Sequence, residues 1–349
     1  MPGSYWTDCS RCGGMSSYRV RVIRDLPRNR DIYRNLTGIM HVRIMAESHL
    51  HVGQGLREQM VTLDSRLIDE LQRRITSREK INIRDLLRDL SRYVEIERVA
   101  VPFSRVSGAI VIPGGTIKGN IRSRLELSFK AKEGAVRACF IAASPAIRSP
   151  APPGSHGWRH QRIWISAVYE DRGPPCNLTS DNVVCLLCDI FGTAGLKSLI
   201  DFSDFRLHEE NVEEFDTKYR MKLEAVKPGS SFEGHIYFRS LKPEELGLIL
   251  FGMGIRNGSL SEPVLLGRFK YHKFLDSGKF GRIRYKIESI VLSTYSEPLR
   301  IGGKELHPGE PIQGDLLEEV VNGLIQETTA TFNGELEFID EVGIVERLQ

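Results

Sequence analysis

The stretch VIPGGTIKGNIRSRLE, residues 111–126, joins an apolar strand end to a glycine turn and the start of a basic helix. Glycines let backbone amides come close to a ligand, and the free N–H groups at a helix start favour negative charge. The arrangement therefore suits a phosphate, and the pattern predicts a helix over residues 116–132. Two nucleotide signatures are excluded. A P-loop needs G-x-x-x-x-G-K followed by Ser or Thr, whereas here Lys118 precedes Gly119 and Asn120 follows it. The dinucleotide pattern G-x-G-x-x-G also fails. Lys118, Arg122 and Arg124 remain as candidate phosphate contacts, and Lys118 and Arg122, four apart, share a helical face. One loop of this kind is equally a glycine turn leading into a solvated helix.

A second loop of the same character strengthens the phosphate reading. In LLGRFKYHKFLDSGKFGRIR, residues 265–284, Arg268, Lys270, Lys279 and Arg282 interleave with Phe269, Tyr271 and Phe280. Rings stack on unpaired bases while the cations follow phosphates, although aromatics at this spacing also serve as core. The expectation is that the loops around Gly115 and Gly278 converge on one channel for a single RNA strand.

Composition agrees with a globular chain. Of 349 residues 41% are hydrophobic and 27% charged, with a formal net charge of +3. Basic residues crowd the first half, as in YRVRVIRDLPRNR (18–30), and the end from Glu305 is acidic. Arginine outnumbers lysine, and the guanidinium fork suits phosphate. The acidic rear either meets the basic front of another copy or lies solvated. No leader and no apolar run of bilayer length is present, so a cytoplasmic protein without a membrane is expected. Six cysteines in a reducing compartment point to metal ligands or buried thiols.

IMHVRIMA (39–46) alternates as a strand, with Val42 and Ile44 on one face, and runs into HLHVGQG (49–55). Residues 56–98 are expected as a lid-like helical insertion, with Leu67, Ile68, Leu71 and Ile75 on one face and Leu86, Leu87 and Leu90 on another. Residues 133–199 form a Pro/Gly/Cys-rich insertion, in which RIWISAVYE is expected as a strand. Residues 219–226 and 231–238 flank KPGS as a hairpin, and a helix is expected over 243–254, with Pro243 in its first turn. A strand, RYKIESIVL, precedes an acidic extension, 291–349. Strand, helix, strands, helix, strand implies an α+β fold, a ferredoxin-like or RNA-recognition-motif core with large helical and zinc-containing insertions. That core draws on residues 18–55, 99–132 and 200–290.

Cys185 and Cys188 form CLLC, a spacing that places two thiolates on one zinc ion. The expected quartet is Cys139, His160, Cys185 and Cys188, with Cys176 as substitute and His156, Cys9 and Cys12 as alternatives. Small buried thiols near Phe191 are the plainer reading. HGWRH (156–160) has a zinc-peptidase histidine spacing, but Gly157 stands where the glutamate base belongs.

The loop IPGGTIKGNIRSRLE, HVGQG upstream, CDIFG (188–192), EAVKPGSSFEG (224–234) and the late glycine loop follow one another in an order that resembles the RAMP superfamily of CRISPR systems. The resemblance is nearest to the repeating backbone subunit of the type III-A (Csm) effector complex. It implies a core of RNA-recognition-motif type that assembles in copies along guide RNA, with other effector subunits, gripping the backbone without regard to sequence. His51 and Gly53 would line the groove with Lys118, Arg122 and the second loop. Such subunits cut target RNA with an aspartate shortly before the IPG element. Here EIERVAVPF holds none; Glu95 and Glu97 are near, and Asp64, Asp85 and Asp89 fall in the insertion, so no catalytic residue is assigned. The rival expectation is an endoribonuclease, acting on target RNA or guide precursor, through a metal-bound carboxylate or through His49 or His51 as general acid or base.

Overall fold

The computed structural model describes residues 17–55, 58–63, 94–141, 150–155, 157–216, 221–272 and 279–348, with positions 69, 72, 73, 76, 77 and 84. Cys9, Cys12, Asp64, Asp85, Asp89, His156 and Gly278 lie outside the described residues, as do both leucine-rich faces and the side chains of Glu95 and Glu97.

Strand β1, Leu36–Ala46, buries Met40, Val42 and Ile44 while Ile39, His41 and Arg43 stay more open. A period of two with one covered face is what an antiparallel sheet lined on one side demands. Its nine-stranded sheet also contains β2 (Ala109–Ile112), β3 (Phe205–Leu207), β4 (Ser231–Leu241), β5 (Val264–Leu265) and β6 (Arg282–Leu292), with three short strands, Arg105–Val106, Ile200–Phe202 and Pro311–Ile312, at its margins. The order of the labelled strands is β5-β6-β1-β4-β3-β2, with β1 antiparallel to both β4 and β6. Helix α1, Gly114–Ser128, precedes β3, and α4, Pro243–Gly252, joins β4 to β6; two six-residue helices lie between them, α2 (Trp158–Ile163) and α3 (Leu186–Phe191). The result is the connectivity of a split βαβ unit. Pro243 occupies the first helical turn of α4, where its missing N–H costs nothing. A Cβ on Gly252 would lie 2.8 Å from Ile121 and Leu125 side-chain atoms, so α1 and α4 touch nearly backbone to side chain.

Four local expectations change. Met221–Val226 and Ser231–Leu241 do not form a hairpin: the first pairs with Val212–Asp216 and Val94–Val101, the second with β1. The chain changes sheets at KPGS because Leu50, just past β1, exchanges both backbone hydrogen bonds with Val226. The insertion is not helical throughout, since Glu58–Leu63 and Val94–Val101 pair as an antiparallel ladder. RIWISAVYE is not a strand until its last residue, Glu170: α2 covers its start, turns follow, and Ile163, Trp164, Ala167 and Val168 pack in one cluster with Val345. Helix α1 ends at Ser128, where Phe129 turns extended and bridges to Leu336.

The acidic end is not a solvated tail. Helix α5, Gly314–Thr331, buries Leu317, Val320, Val321 and Leu324, and a Cβ on Gly247 would come 2.2 Å from Leu324 O. Helix α6, Glu341–Arg347, buries Glu341. Glu335 pairs with Arg137 and Glu346 with Lys279, so these acids serve cations of the same chain. The basic front is likewise engaged: Arg28 and Arg30 both hold Asp189 at 2.6 Å, and Arg28 also reaches Glu245. Among the described residues no helix is long and apolar enough to cross a membrane.

Candidate nucleic-acid interface and metal centre

Three loops meet beside β1. Gly267, with φ +81, lies so close to the His51–Gly55 segment that a Cβ on it would come 2.4 Å from His51 O. Arg268 then donates its backbone N–H to that oxygen at 2.9 Å. The third loop joins through Ser104, whose N–H donates to Val52 O at 2.8 Å, and through a bridge between Gly53 and Phe103. Helix α1 reaches the same region, because Asn120 Nδ2 donates to Leu265 O at 2.8 Å.

His51 is fully buried. Its Nδ1 lies 2.6 Å from Glu224 O, which only accepts, so Nδ1 carries the proton. Nε2 has no partner among the described residues and faces Gly53, where a Cβ would stand 2.9 Å away. Burial first, then Arg268 nearby, hold His51 below the ordinary histidine pKa and keep it neutral. His51 is therefore enclosed by the loops, while Gly53 is exposed. His49 packs on Phe215 and Phe280 and reaches Glu213 at 3.4 Å. Glu224 accepts from the Phe103 N–H at 2.7 Å and pairs with Arg105. Beside them a groove of about 310 Å³ is lined by Gln54, Arg105, Glu214 and Lys222, and its acids are paired, Lys222 with Glu214 at 2.8 Å.

The predicted cations separate into two groups. Lys118 is half-buried near Asp201, and desolvation lowers its pKa. Arg268 lies over the Phe269 ring at 5.1 Å and Lys270 over the Tyr271 ring at 5.0 Å, both half-buried. Lys279 is exposed but 2.8 Å from Glu346. The others face inward. Arg124 is buried against Glu341 at 2.8 Å and donates to Gly252 O at 2.6 Å. Arg282 is buried and donates to Phe280 O. Arg122 reaches Glu126 at 2.8 Å and Gly192 O at 2.7 Å. All three arginines thus engage partners within the protein.

The first amide of the glycine turn is also engaged within the protein. Gly114 donates its N–H to Asp204 Oδ1 at 2.9 Å, so the protein supplies its own anion at the first amide of α1. A Cβ there would fall 2.2 Å from Phe202 O, which is why the position admits only glycine. Gly115 and Gly119 remain exposed with open space in front of them. Phe280 is core, packed on Phe215 at 5.3 Å, and Tyr271 lies 3.0 Å from His160 Nδ1.

His160 is not among the residues that gather in the insertion. Cys139, Cys176, Cys185 and Cys188 come together instead, all buried, with their sulfurs within 4.8 Å of one another. The closest approaches are 3.4 Å for Cys139–Cys188 and 3.7 Å for Cys139–Cys185. Four sulfurs at about 2.3 Å from one zinc ion in a tetrahedron lie roughly 3.8 Å apart, so the group has the size of a mononuclear tetrathiolate site. The backbone N–H of Cys139 donates to Cys185 Sγ at 3.4 Å and that of Cys185 to Cys176 Sγ at 3.2 Å. Sequence spacing showed the CLLC pair, but nothing local distinguished Cys176 from His160. Arg105, Glu224 and Asp204 carried no signal either.

Fold and site together define an α+β protein with a central antiparallel sheet, a groove whose charges are paired and a four-cysteine centre. The chain belongs to the RAMP superfamily, whose family model matches residues 43–305. Among solved structures, the crystal structure of Csc2 from Thermofilum pendens matches with 12% identity and a TM-score of 0.34, over 91% of this chain and 82% of that one. No curated protein matches.

Proposed function

We propose that the chain is a single-stranded RNA-binding backbone subunit of a CRISPR effector complex, of the type III-A (Csm) kind, with a ferredoxin-like core of RNA-recognition-motif type. In this reading it works in the cytoplasm, repeats along guide RNA beside other effector subunits and meets target RNA in the same complex. The observation that carries the proposal is the joining of the Arg268–Lys270 segment to the His51–Gly55 loop, within reach of α1, in a chain of the RAMP superfamily. Lys118, Arg268, Lys270 and Lys279 then supply the phosphate contacts, and Gly53, Gly115 and Gly119 let a backbone come close. Domain limits follow the same reading: core 18–55, 99–132 and 200–290, lid 56–98, cysteine insertion 133–199 and C-terminal extension 291–349. Zinc, held by Cys139, Cys176, Cys185 and Cys188, would anchor the insertion as a structural ion.

Filter binding of single-stranded against double-stranded RNA over a salt series tests this. Single strands should bind tighter, independent of sequence, with log affinity falling by about 0.7 per phosphate contact for each tenfold rise in salt. Equal or absent binding of both forms at low salt would overturn it.

A further inference from the structure

Arg122 raises a question the phosphate reading leaves unanswered, since it faces the cysteines. Its Nη2 lies 3.1 Å from Cys188 Sγ, and Arg24 Nε lies 3.3 Å from Cys176 Sγ. A guanidinium only donates, so both sulfurs are placed to accept. Four thiolates around one divalent ion carry two negative charges in excess, and a buried charge of that size requires compensation. Two arginines, one ahead of β1 and one on α1, match that excess. We propose that Arg24 and Arg122 are the charge-balancing partners of the metal held by the four cysteines, and that Arg122 makes the seating of α1 depend on that metal.

The second half rests on the RNA-binding reading above. Arg122 stands one turn from Lys118 on α1, and its other donors grip Glu126 and Gly192 O, the end of the CLLCDIFG segment. Metal loading fixes Cys188, Cys188 fixes the guanidinium, and the guanidinium fixes the helix that carries Lys118 and the exposed Gly115 and Gly119. Metal and RNA then favour each other's binding, by the same factor in both directions.

The test uses the full chain and the variants Arg24→Gln, Arg122→Gln and Arg122→Lys. Zinc per chain and its release to a chromogenic chelator are measured first, then spectra after replacement by Co2+, then RNA affinity at saturating zinc. Both glutamine variants should bind zinc 10- to 100-fold more weakly, as losses of partners to metal ligands do, with Arg122→Lys in between. Their Co2+ spectra should keep tetrahedral tetrathiolate bands with the sulfur-to-metal transition shifted. With zinc saturating, Arg122→Gln should bind RNA several-fold more weakly and Arg24→Gln like the parent. Unchanged zinc affinity in both glutamine variants, or a parent chain that binds no metal, would overturn the charge balance. Equal RNA affinity in Arg122→Gln and the parent would overturn the coupling. A parent chain that binds no RNA overturns the functional reading and the coupling together, while the zinc and Co2+ readouts still decide the role of the arginines.

Discussion

The backbone N–H of Arg268 donates to the carbonyl oxygen of His51 at 2.9 Å, joining two loops that are remote in sequence. Each loop alone is a glycine-containing turn. Joined, they form one surface, and Gly267 makes the approach possible because it has no Cβ to strike His51 O.

Gly267→Ala should therefore cost stability. Its φ of +81 and the 2.4 Å clash oppose any side chain, and strain of this kind costs about 1–3 kcal/mol. Gly119→Ala, in open space within α1, should instead raise stability by about 0.5–1 kcal/mol. Thermal unfolding midpoints of the pair check the contrast. Equal shifts in one direction would mean the loops do not meet as described.

Removing half-buried and fully buried cations should give different failures. Lys118→Ala and Arg268→Ala should leave the fold intact, weaken RNA uniformly across sequences and reduce the salt slope by about 1 each. Arg124→Ala leaves Glu341 buried without its partner and should destabilise the protein by roughly 3–5 kcal/mol. Denaturant titrations and salt-dependent binding separate the two classes; a folded, RNA-defective Arg124→Ala would contradict the assignment.

Metal content should follow the cysteines and ignore the histidine. Cys176→Ser is expected to lose zinc as Cys185→Ser does, while His160→Gln retains it. Elemental analysis of purified protein gives the answer. Loss in His160→Gln with retention in Cys176→Ser would restore the quartet expected from spacing.

Acid should weaken the packing around α2. Burial, reinforced by Lys270, holds His160 at a pKa of about 4 against 6.5, with Glu341 acting the other way. A histidine whose folded pKa is depressed stabilises the fold fully above the unfolded value, and that contribution is lost as pH falls from 6.5 towards 4. The change is at most about 3 kcal/mol. Unfolding free energy measured from pH 7 to 4 should slope less steeply in His160→Gln. An identical slope would remove His160 as the cause.

Local signals carried some elements through to the structure. Alternation in IMHVRIMA is the alternation of β1, and Pro243 stands at the start of α4. CLLC brought Cys185 and Cys188 together because a separation of three on a helical turn holds in any surroundings. Partner choice was not local. KPGS looked like a hairpin, yet Val226 found Leu50 and Ser231 found Met45, because each flanking strand pairs, in a different sheet, with a segment remote in sequence.

Charge shows the same division. Arg122, Arg124, Arg268 and Arg282 are indistinguishable as letters in basic, glycine-bearing loops. Only the fold brings Glu341, Cys188 and Phe280 O to three of them and leaves Arg268 half-open. By itself the sequence determined the periodic strands and helices, the thiol pair and the positions of the turns, because these depend on residues a few bonds apart. Tertiary structure alone decided which cations are buried, which fourth thiol joins the centre and which loops share a surface. Those outcomes depend on desolvation and on partners brought near only when distant segments pack.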